Sequence, residues 1–204
     1  MNILLIRHGE TELNAARVLQ PADTPLSARG LAQAARLAQR LATLGVTGVI
    51  SSDLPRARRT AEAIALATGA PLSTSAGLRE RNFGDWRGLP YDGLAANPLT
   101  MSDAPPGGES AAEFEARVAL AFADIVQRAV AGRGALAVVT HGLVIRAMLA
   151  AHVRLPADTA QPTHLGNTSL SVFDGHAPHA ASVVNCTRHL DAAASDDPRA
   201  LSGG

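Results

Sequence analysis

Short apolar runs that alternate with amphipathic helices constrain the fold of this chain more than any other feature of the sequence. Each run is brief, apolar and bounded by turn-forming residues, as buried strands of parallel sheets are. Strands that alternate with helices predict an α/β fold, a three-layer sandwich with a mainly parallel sheet and helices on both faces. The four runs are Ile3–Arg7, Gly48–Ser51, Pro71–Ser73 and Ala135–Thr140.

Helices are predicted where apolar residues recur every three or four positions. Ser27 is suited to cap the first helix, and Ser110 with Glu113 forms a capping box before the third. Two late runs predict an antiparallel pair of strands at one edge of the sheet. An edge strand can pair with the same strand of a second subunit, so a homodimer is possible. The predicted helices are about Ala28–Leu44, Pro55–Thr68, Ser110–Ala131 and Gly142–His152, and the late strands are Thr168–Asp174 and Ala181–Asn185.

The 204 residues are enough for one domain with a sizeable core, which we expect to span residues 1–190. The polar end of the chain, residues 191–204, is predicted to be a disordered tail. Between Gly77 and Gly108 the sequence is rich in proline and glycine. We expect loops and one short helix there, lying over a functional site.

Composition excludes several classes of function. All 18 basic side chains are arginine, so a Schiff-base lysine or a Walker-type nucleotide site is excluded. The formal net charge is zero, which gives no general attraction to nucleic acid or to an anionic membrane. Cys186 is the only cysteine, and no His, Asp or Glu cluster has the spacing of metal ligands, so we expect neither a metal nor a cofactor. The sequence has no evident leader or membrane-spanning stretch, which predicts a cytoplasmic protein.

Two predicted strands end in the same way, with a histidine followed by glycine. The first gives Arg7-His8-Gly9 and another gives Thr140-His141-Gly142. Ligands of such sheets bind beyond the carboxyl ends of the strands, so both histidines are expected at one site. Arg56, in the first turn of a helix that follows a strand, would lie at the same edge. Guanidinium groups and helix N-termini, as at Gly142, favour a phosphate ligand.

With these motifs the chain resembles the histidine phosphatases, the phosphoglycerate mutase-like superfamily. The resemblance extends from Asn2 to about Asn185, with five motifs in the order of the family. They are Arg7-His8-Gly9-Glu10-Thr11 with Asn14, Ser52-Asp53-Leu54-Pro55-Arg56-Ala57, Leu78-Arg79-Glu80 leading into Phe83-Gly84-Asp85-Trp86-Arg87-Gly88, Pro106-Gly107-Gly108-Glu109-Ser110, and Thr140-His141-Gly142.

The resemblance implies a metal-independent phosphomonoesterase that acts on a small phosphorylated metabolite. His8 would attack phosphorus and become phosphohistidine. Arg7, Arg56, His141 and Asn14 would bind the phosphoryl oxygens. Glu80 would protonate the leaving oxygen and then deprotonate the attacking water. Residues 1–190 are then the catalytic domain.

Three alternatives stay open at this stage. A phosphoglycerate mutase is disfavoured because mutases of the family carry an insertion before the Gly-Glu-Ser motif that is absent here. The sequence Phe-Gly-Asp-Trp is more typical of the small phosphatases, including α-ribazole phosphatase. A non-catalytic phosphate-binding module would not need a nucleophile and a proton donor together. The sequence does not assign Arg81, Phe83 or Trp86 to a role in specificity.

Overall fold

The computed structural model describes residues 1–94 and 96–190, so the predicted tail lies outside the described residues. The strands are β1 (Asn2–Arg7), β2 (Val46–Ser52), β3 (Leu72–Ser75), β4 (Ala135–Thr140), β5 (Leu170–Asp174) and β6 (Ala181–Cys186). The helices are α1 (Glu12–Ala15), α2 (Ala28–Leu41), α3 (Pro55–Thr68), α4 (Ala111–Ala131) and α5 (Gly142–Ala151). None of the helices in the described part of the chain is long and apolar enough to cross a membrane.

The six strands form one sheet in the order β3-β2-β4-β1-β5-β6. The first four strands along the chain pair in parallel, whereas β5 pairs antiparallel with β1, and β6 antiparallel with β5. The mainly parallel sheet with antiparallel strands at one edge is confirmed. Because β1 and β4 are the two central strands and run parallel, their carboxyl ends lie side by side.

The two faces of the sheet carry separate apolar clusters. Alternate residues of a strand point to opposite faces. Leu5 and Val138 therefore pack with α4 and α5 on one face, and Ile6 and Val139 pack with α2 and α3 on the other. This arrangement is the predicted three-layer sandwich. Both central strands are buried along nearly their whole length.

The structure differs from the sequence prediction in the connections. No element is predicted between the first strand and the helix that begins at Ala28, but the structure has α1 there, a one-turn helix with a capping box formed by Thr11 and Asn14. The first long helix ends at Leu41, three residues before the predicted end, and Gly45 follows it with a φ of +65°. The segment Gly77–Gly108 holds no α-helix among its described residues; it has short 3₁₀ turns instead, of which Gly84–Trp86 is one.

Candidate active site

The ends of β1 and β4 bring the two predicted histidines together. Arg7 lies opposite Thr140 in the sheet register, and the backbone N–H of His8 donates to the Thr140 carbonyl at 3.0 Å. The rings of His8 and His141 follow directly, with centroids 5.1 Å apart and planes inclined by 59°. Both side chains are buried. Sheet register alone therefore places the two imidazoles side by side.

The backbone after His8 approaches α2 so closely that residue 9 must be glycine. A Cβ atom at Gly9 would lie 2.5 Å from the carbonyl oxygen of Gly30, a distance that real Cβ atoms do not tolerate. The Gly9 N–H donates at 3.0 Å to the hydroxyl of Thr60, which in turn donates to the Arg56 carbonyl at 2.8 Å. The glycine of the Arg-His-Gly motif thus allows α2 to pack directly against the backbone that follows His8.

His8 is held in the neutral form that a nucleophile needs. Its Nδ1 lies 2.7 Å from the carbonyl oxygen of Gly9, and because a carbonyl can only accept, Nδ1 carries the hydrogen. The lone pair is therefore on Nε2. Burial, together with the charges of Arg56 and Arg7, holds the pKa of His8 well below its usual value. The imidazole is uncharged at neutral pH.

His141 is neutral for the same reasons. Its pKa is well below the usual value because of burial first, then the charge of Arg56. Its Nε2 lies 2.8 Å from the hydroxyl oxygen of Ser52, and that oxygen also accepts the N–H of Leu54 at 3.3 Å. Nδ1 of His141 is buried and has no hydrogen-bond partner within the described structure. It is a polar atom that a ligand would satisfy.

Two buried arginines supply the positive charge. Arg7, at the tip of β1, donates to the Leu165 carbonyl at 2.5 Å. Arg56, in the first turn of α3, donates to the Pro21 carbonyl at 3.3 Å. Burial lowers the pKa of Arg56 to about 10, repulsion from Arg87 and Arg7 adds to this effect, and Glu80 opposes it. Arg58 and Arg59, the neighbours of Arg56 on α3, are exposed and pair with Glu62.

Asn14 is placed by α1, the element that the sequence prediction missed. Its side-chain oxygen accepts the backbone N–H of Thr11 at 3.3 Å and the amide of Asn167 at 3.4 Å. Both contacts fix the orientation of the side chain. Asn14 is fully buried, as an oxyanion ligand held in a fixed orientation would be.

Glu80 is fixed through both of its carboxylate oxygens. Oε1 accepts the backbone N–H of Arg81 at 3.0 Å, and Oε2 accepts the N–H of Leu143 at 3.1 Å. Leu143 is in the first turn of α5, so the helix N-terminus that begins at Gly142 holds the carboxylate. The hydroxyl of Thr140 donates to the Leu78 carbonyl at 2.7 Å and ties the Glu80 segment to β4.

Several buried polar residues support the site without having been predicted. Asn167 donates its amide to the His8 carbonyl at 3.0 Å, and the N–H of Thr168 donates to the same oxygen at 3.2 Å. Ser52 contacts His141, and Thr60 joins Gly9 to Arg56. Ser52 begins the Ser-x-Leu-x-Arg-Ala motif, which was a signal that could have found it. Asn167 lies in the loop before β5 and has no such signal.

A cavity of about 630 Å³ lies over Glu80, and its lining is strongly charged. We call it the rim cavity; its charged and amide side chains are Arg79, Glu80, Asn82, Arg87, Glu109, Glu113 and Arg117. Phe83 and Trp86 do not line it: Phe83 is buried in the apolar cluster under α4, and Trp86 packs against that cluster. Among the described residues, no group of three or more His, Cys, Asp or Glu side chains is arranged to hold a metal ion.

The comparisons with known proteins agree with this geometry. The model of the histidine phosphatase superfamily (branch 1) matches residues 3–186, and the chain belongs to that superfamily. A relative named probable phosphoglycerate mutase GpmB, from Salmonella paratyphi B, is 34% identical over 97% of this chain and 98% of its own length.

Solved structures of phosphatases share the fold. Mycobacterial glucosyl-3-phosphoglycerate phosphatase, in a complex with VO3, superposes with a TM-score of 0.76 at 30% identity, over 91% of this chain and 99% of that one. A putative α-ribazole-5'-P phosphatase from Escherichia coli K-12 has a TM-score of 0.78 at 27% identity, over 92% and 97% of the two chains. The likeness covers nearly the whole of each chain.

Proposed function

We propose that this chain hydrolyses phosphomonoesters through a phosphohistidine on His8. The observation that carries the proposal is a buried neutral imidazole with a free Nε2 lone pair, within reach of the charges of Arg56 and Arg7 and beside a second neutral histidine. Nε2 would form a bond to phosphorus as the bond to the leaving oxygen breaks. Water would then attack phosphorus, release inorganic phosphate and restore His8.

The remaining groups fit the demands of phosphoryl transfer. Such a reaction needs positioning and positive charge around the three equatorial oxygens more than covalent help. Arg7 and Arg56 supply charge, while Asn14 and His141 supply neutral donors. Glu80, which lines the rim cavity, would give a proton to the leaving oxygen and take one from water. A purely phosphate-binding module would have no use for this acid beside a nucleophile.

The proposal extends to the setting of the reaction. Residues 1–190 would form one catalytic domain that acts on a small phosphorylated metabolite in the cytoplasm. Two arginines, a histidine and an amide would take the part that a metal ion has in other phosphatases, so the reaction would need no metal. A homodimer would pair through β6, the strand at the edge of the sheet.

The test is a screen of phosphate monoesters with released phosphate measured for each. Wild-type protein is expected to be active after exhaustive chelation and to be inhibited by vanadate. A rapid quench with a slow substrate is expected to trap an acid-labile phosphoryl label, which His8→Ala should remove along with turnover. Near-wild-type activity in His8→Ala, or loss on chelation that a divalent metal restores, would contradict the proposal.

A second candidate is phosphoglycerate mutase, because the GpmB relatives carry that name across the full length of the chain. A mutase must shield its phosphohistidine from water until the product has turned. Arg79 on the rim cavity is 52% exposed, so water has access there. We expect 3-phosphoglycerate to give mostly free phosphate, with or without a bisphosphoglycerate primer. Primer-dependent isomerisation faster than phosphate release would favour the mutase.

A further inference from the structure

Three arginines line the rim cavity, and two of them are paired with carboxylates. Arg79 forms a bidentate ion pair with Asp53, in which Nε donates to Oδ1 at 2.7 Å and Nη2 donates to Oδ2 at 2.5 Å. Arg117 does the same with Glu109, at 2.8 Å for both bonds, and also donates to the carbonyls of Gly77 and Arg79. Both guanidinium groups are therefore neutralised by the protein and are not available as forks for an anion.

Arg87 is the exception. It lines the same cavity and is half-buried, yet its guanidinium has no hydrogen bond or ion pair with any described residue. Burial and the charge of Arg79 lower its pKa, against the attraction of Glu109. Arg87 also repels Arg56, and that repulsion is one cause of the lowered pKa of Arg56. Arg87 is therefore a cation of the rim cavity that forms no ion pair with a described carboxylate and whose charge acts on Arg56 of the candidate phosphate site.

A half-buried guanidinium without a counterion is costly, and an anion would relieve the repulsion from Arg79 and Arg56 together. Its planar fork matches a carboxylate or a phosphate through two parallel hydrogen bonds. A neutral leaving alcohol would use the cavity but leave this charge uncompensated. The phosphoryl group itself already has Arg7 and Arg56 near His8, so the anion at Arg87 would be a different one.

We propose that Arg87 binds a second anionic group of the substrate, carried by the leaving alcohol, and so selects phosphomonoesters with a carboxylate or a second phosphate. The inference rests on the proposed function in one respect, namely that the phosphoryl group of the substrate binds at His8. Arg87 would then determine specificity rather than take part in the chemical step.

The test compares esters that differ only in the second group. The carboxylate pair is 3-phospho-D-glycerate and sn-glycerol 1-phosphate, in which a hydroxymethyl group replaces the carboxylate and the configuration at C2 is the same. The phosphate pair is propane-1,3-diol bisphosphate and propyl phosphate, and the two pairs distinguish the two sources of anion. A charge-assisted fork predicts a preference of about tenfold to hundredfold in kcat/KM for the charged member of at least one pair.

Arg87→Gln is expected to bring that ratio close to one, chiefly through KM. The matched control is Arg128→Gln, an exposed arginine of α4 paired with Asp124, which should keep the wild-type ratio. Equal kcat/KM for charged and neutral members in the wild type would overturn the inference. So would a ratio that Arg87→Gln leaves unchanged.

Calorimetry with His8→Ala separates this inference from the proposed function, because binding requires no turnover. Tighter binding of the charged ester, lost in His8→Ala/Arg87→Gln, would support the role of Arg87 even if the wild type hydrolysed none of the esters. Hydrolysis of every ester without any difference in binding would support the phosphatase and refute the role of Arg87.

Discussion

Two regions of the candidate site differ in how their structure is fixed. The first, the strand-end cluster, consists of Arg7, His8, Arg56 and His141. The second, the cover, consists of residues 81–109. The cluster is attached to the two central strands and to the first turn of α3, and all four side chains are buried. The cover has only short 3₁₀ turns in its described part. Regular structure fixes the cluster, whereas side chains that reach backbone carbonyls fix the cover.

Arg81 shows how the cover is held. Its guanidinium donates to the carbonyls of Glu109 at 3.1 Å, Met101 at 2.9 Å and Asp103 at 3.1 Å, with Pro98 at 3.5 Å. Each of these hydrogen bonds joins two parts of the cover. The strand-end cluster and the cover are thus held by different kinds of contact. Substitutions in the two regions should therefore affect activity and stability differently.

The largest effect is expected at Glu80, where the two regions meet. If Glu80 is the general acid, Glu80→Gln should slow hydrolysis of alkyl phosphates by roughly a hundredfold to ten-thousandfold. Esters of acidic phenols should be affected far less, because their oxygens leave without a proton. The measurement is kcat on both types of ester. Equal losses on both would assign Glu80 to holding α5 against the cover.

The ease of predicting each region follows from the same difference. The Arg-His-Gly and Thr-His-Gly motifs predict the cluster because a buried apolar run fixes where a strand ends. The support from Ser52, Thr60 and Asn167 depends on partners 89, 51 and 159 residues away. No local pattern records such contacts.

The short elements escaped prediction for another reason. The helix α1 has four residues, too few to show a helical period, and only its capping box marks it. The turns of the cover have no apolar period at all, so proline and glycine indicated irregular structure without its shape. The cavity and the unpaired Arg87 were beyond sequence reasoning because they depend on which arginines find carboxylates.

The next expected effect is on the pH dependence of stability, to which the two histidines of the cluster contribute together with His189, whose pKa is lowered to about 4 by burial and by the charge of Arg40. The pKa values of His8 and His141 are lowered in the folded state, so below about pH 6.5 the unfolded chain binds more protons than the folded one. The free energy of unfolding should therefore fall as the pH falls below that value and level off above it. Each histidine contributes about 1.4 kcal/mol per pH unit.

Urea denaturation between pH 5 and pH 8 measures this slope. His141→Gln should reduce it by the contribution of one proton. A wild-type slope that His141→Gln leaves intact would show that the imidazole of His141 titrates normally in the folded protein.

A similar but local effect is expected for Arg81→Met. The loss of hydrogen bonds from a charged group should cost about 2 kcal/mol of the free energy of unfolding. Hydrogen exchange should accelerate in residues 98–109 and stay unchanged in β1 and β4, because the cluster does not depend on Arg81. Arg128→Met, at an exposed position, is the control. Faster exchange in the central strands would mean that cover and cluster form one cooperative unit.

The smallest effect is expected at Ser52, and it tests how finely the cluster is set. The Ser52 oxygen accepts the N–H of Leu54, so its own hydrogen is best used toward Nε2 of His141. His141 would then carry its hydrogen on Nδ1, the buried atom without a partner in the described structure, and would donate it to a phosphoryl oxygen.

Nitrogen-15 NMR of the wild type should show the Nδ1–H tautomer. Ser52→Ala should give a mixture of tautomers and lower kcat by roughly threefold to tenfold, the value of one hydrogen bond. Ser52→Thr, which keeps the hydroxyl, should restore both. The same tautomer in Ser52→Ala as in the wild type would show that the backbone around β4, and not Ser52, orients His141.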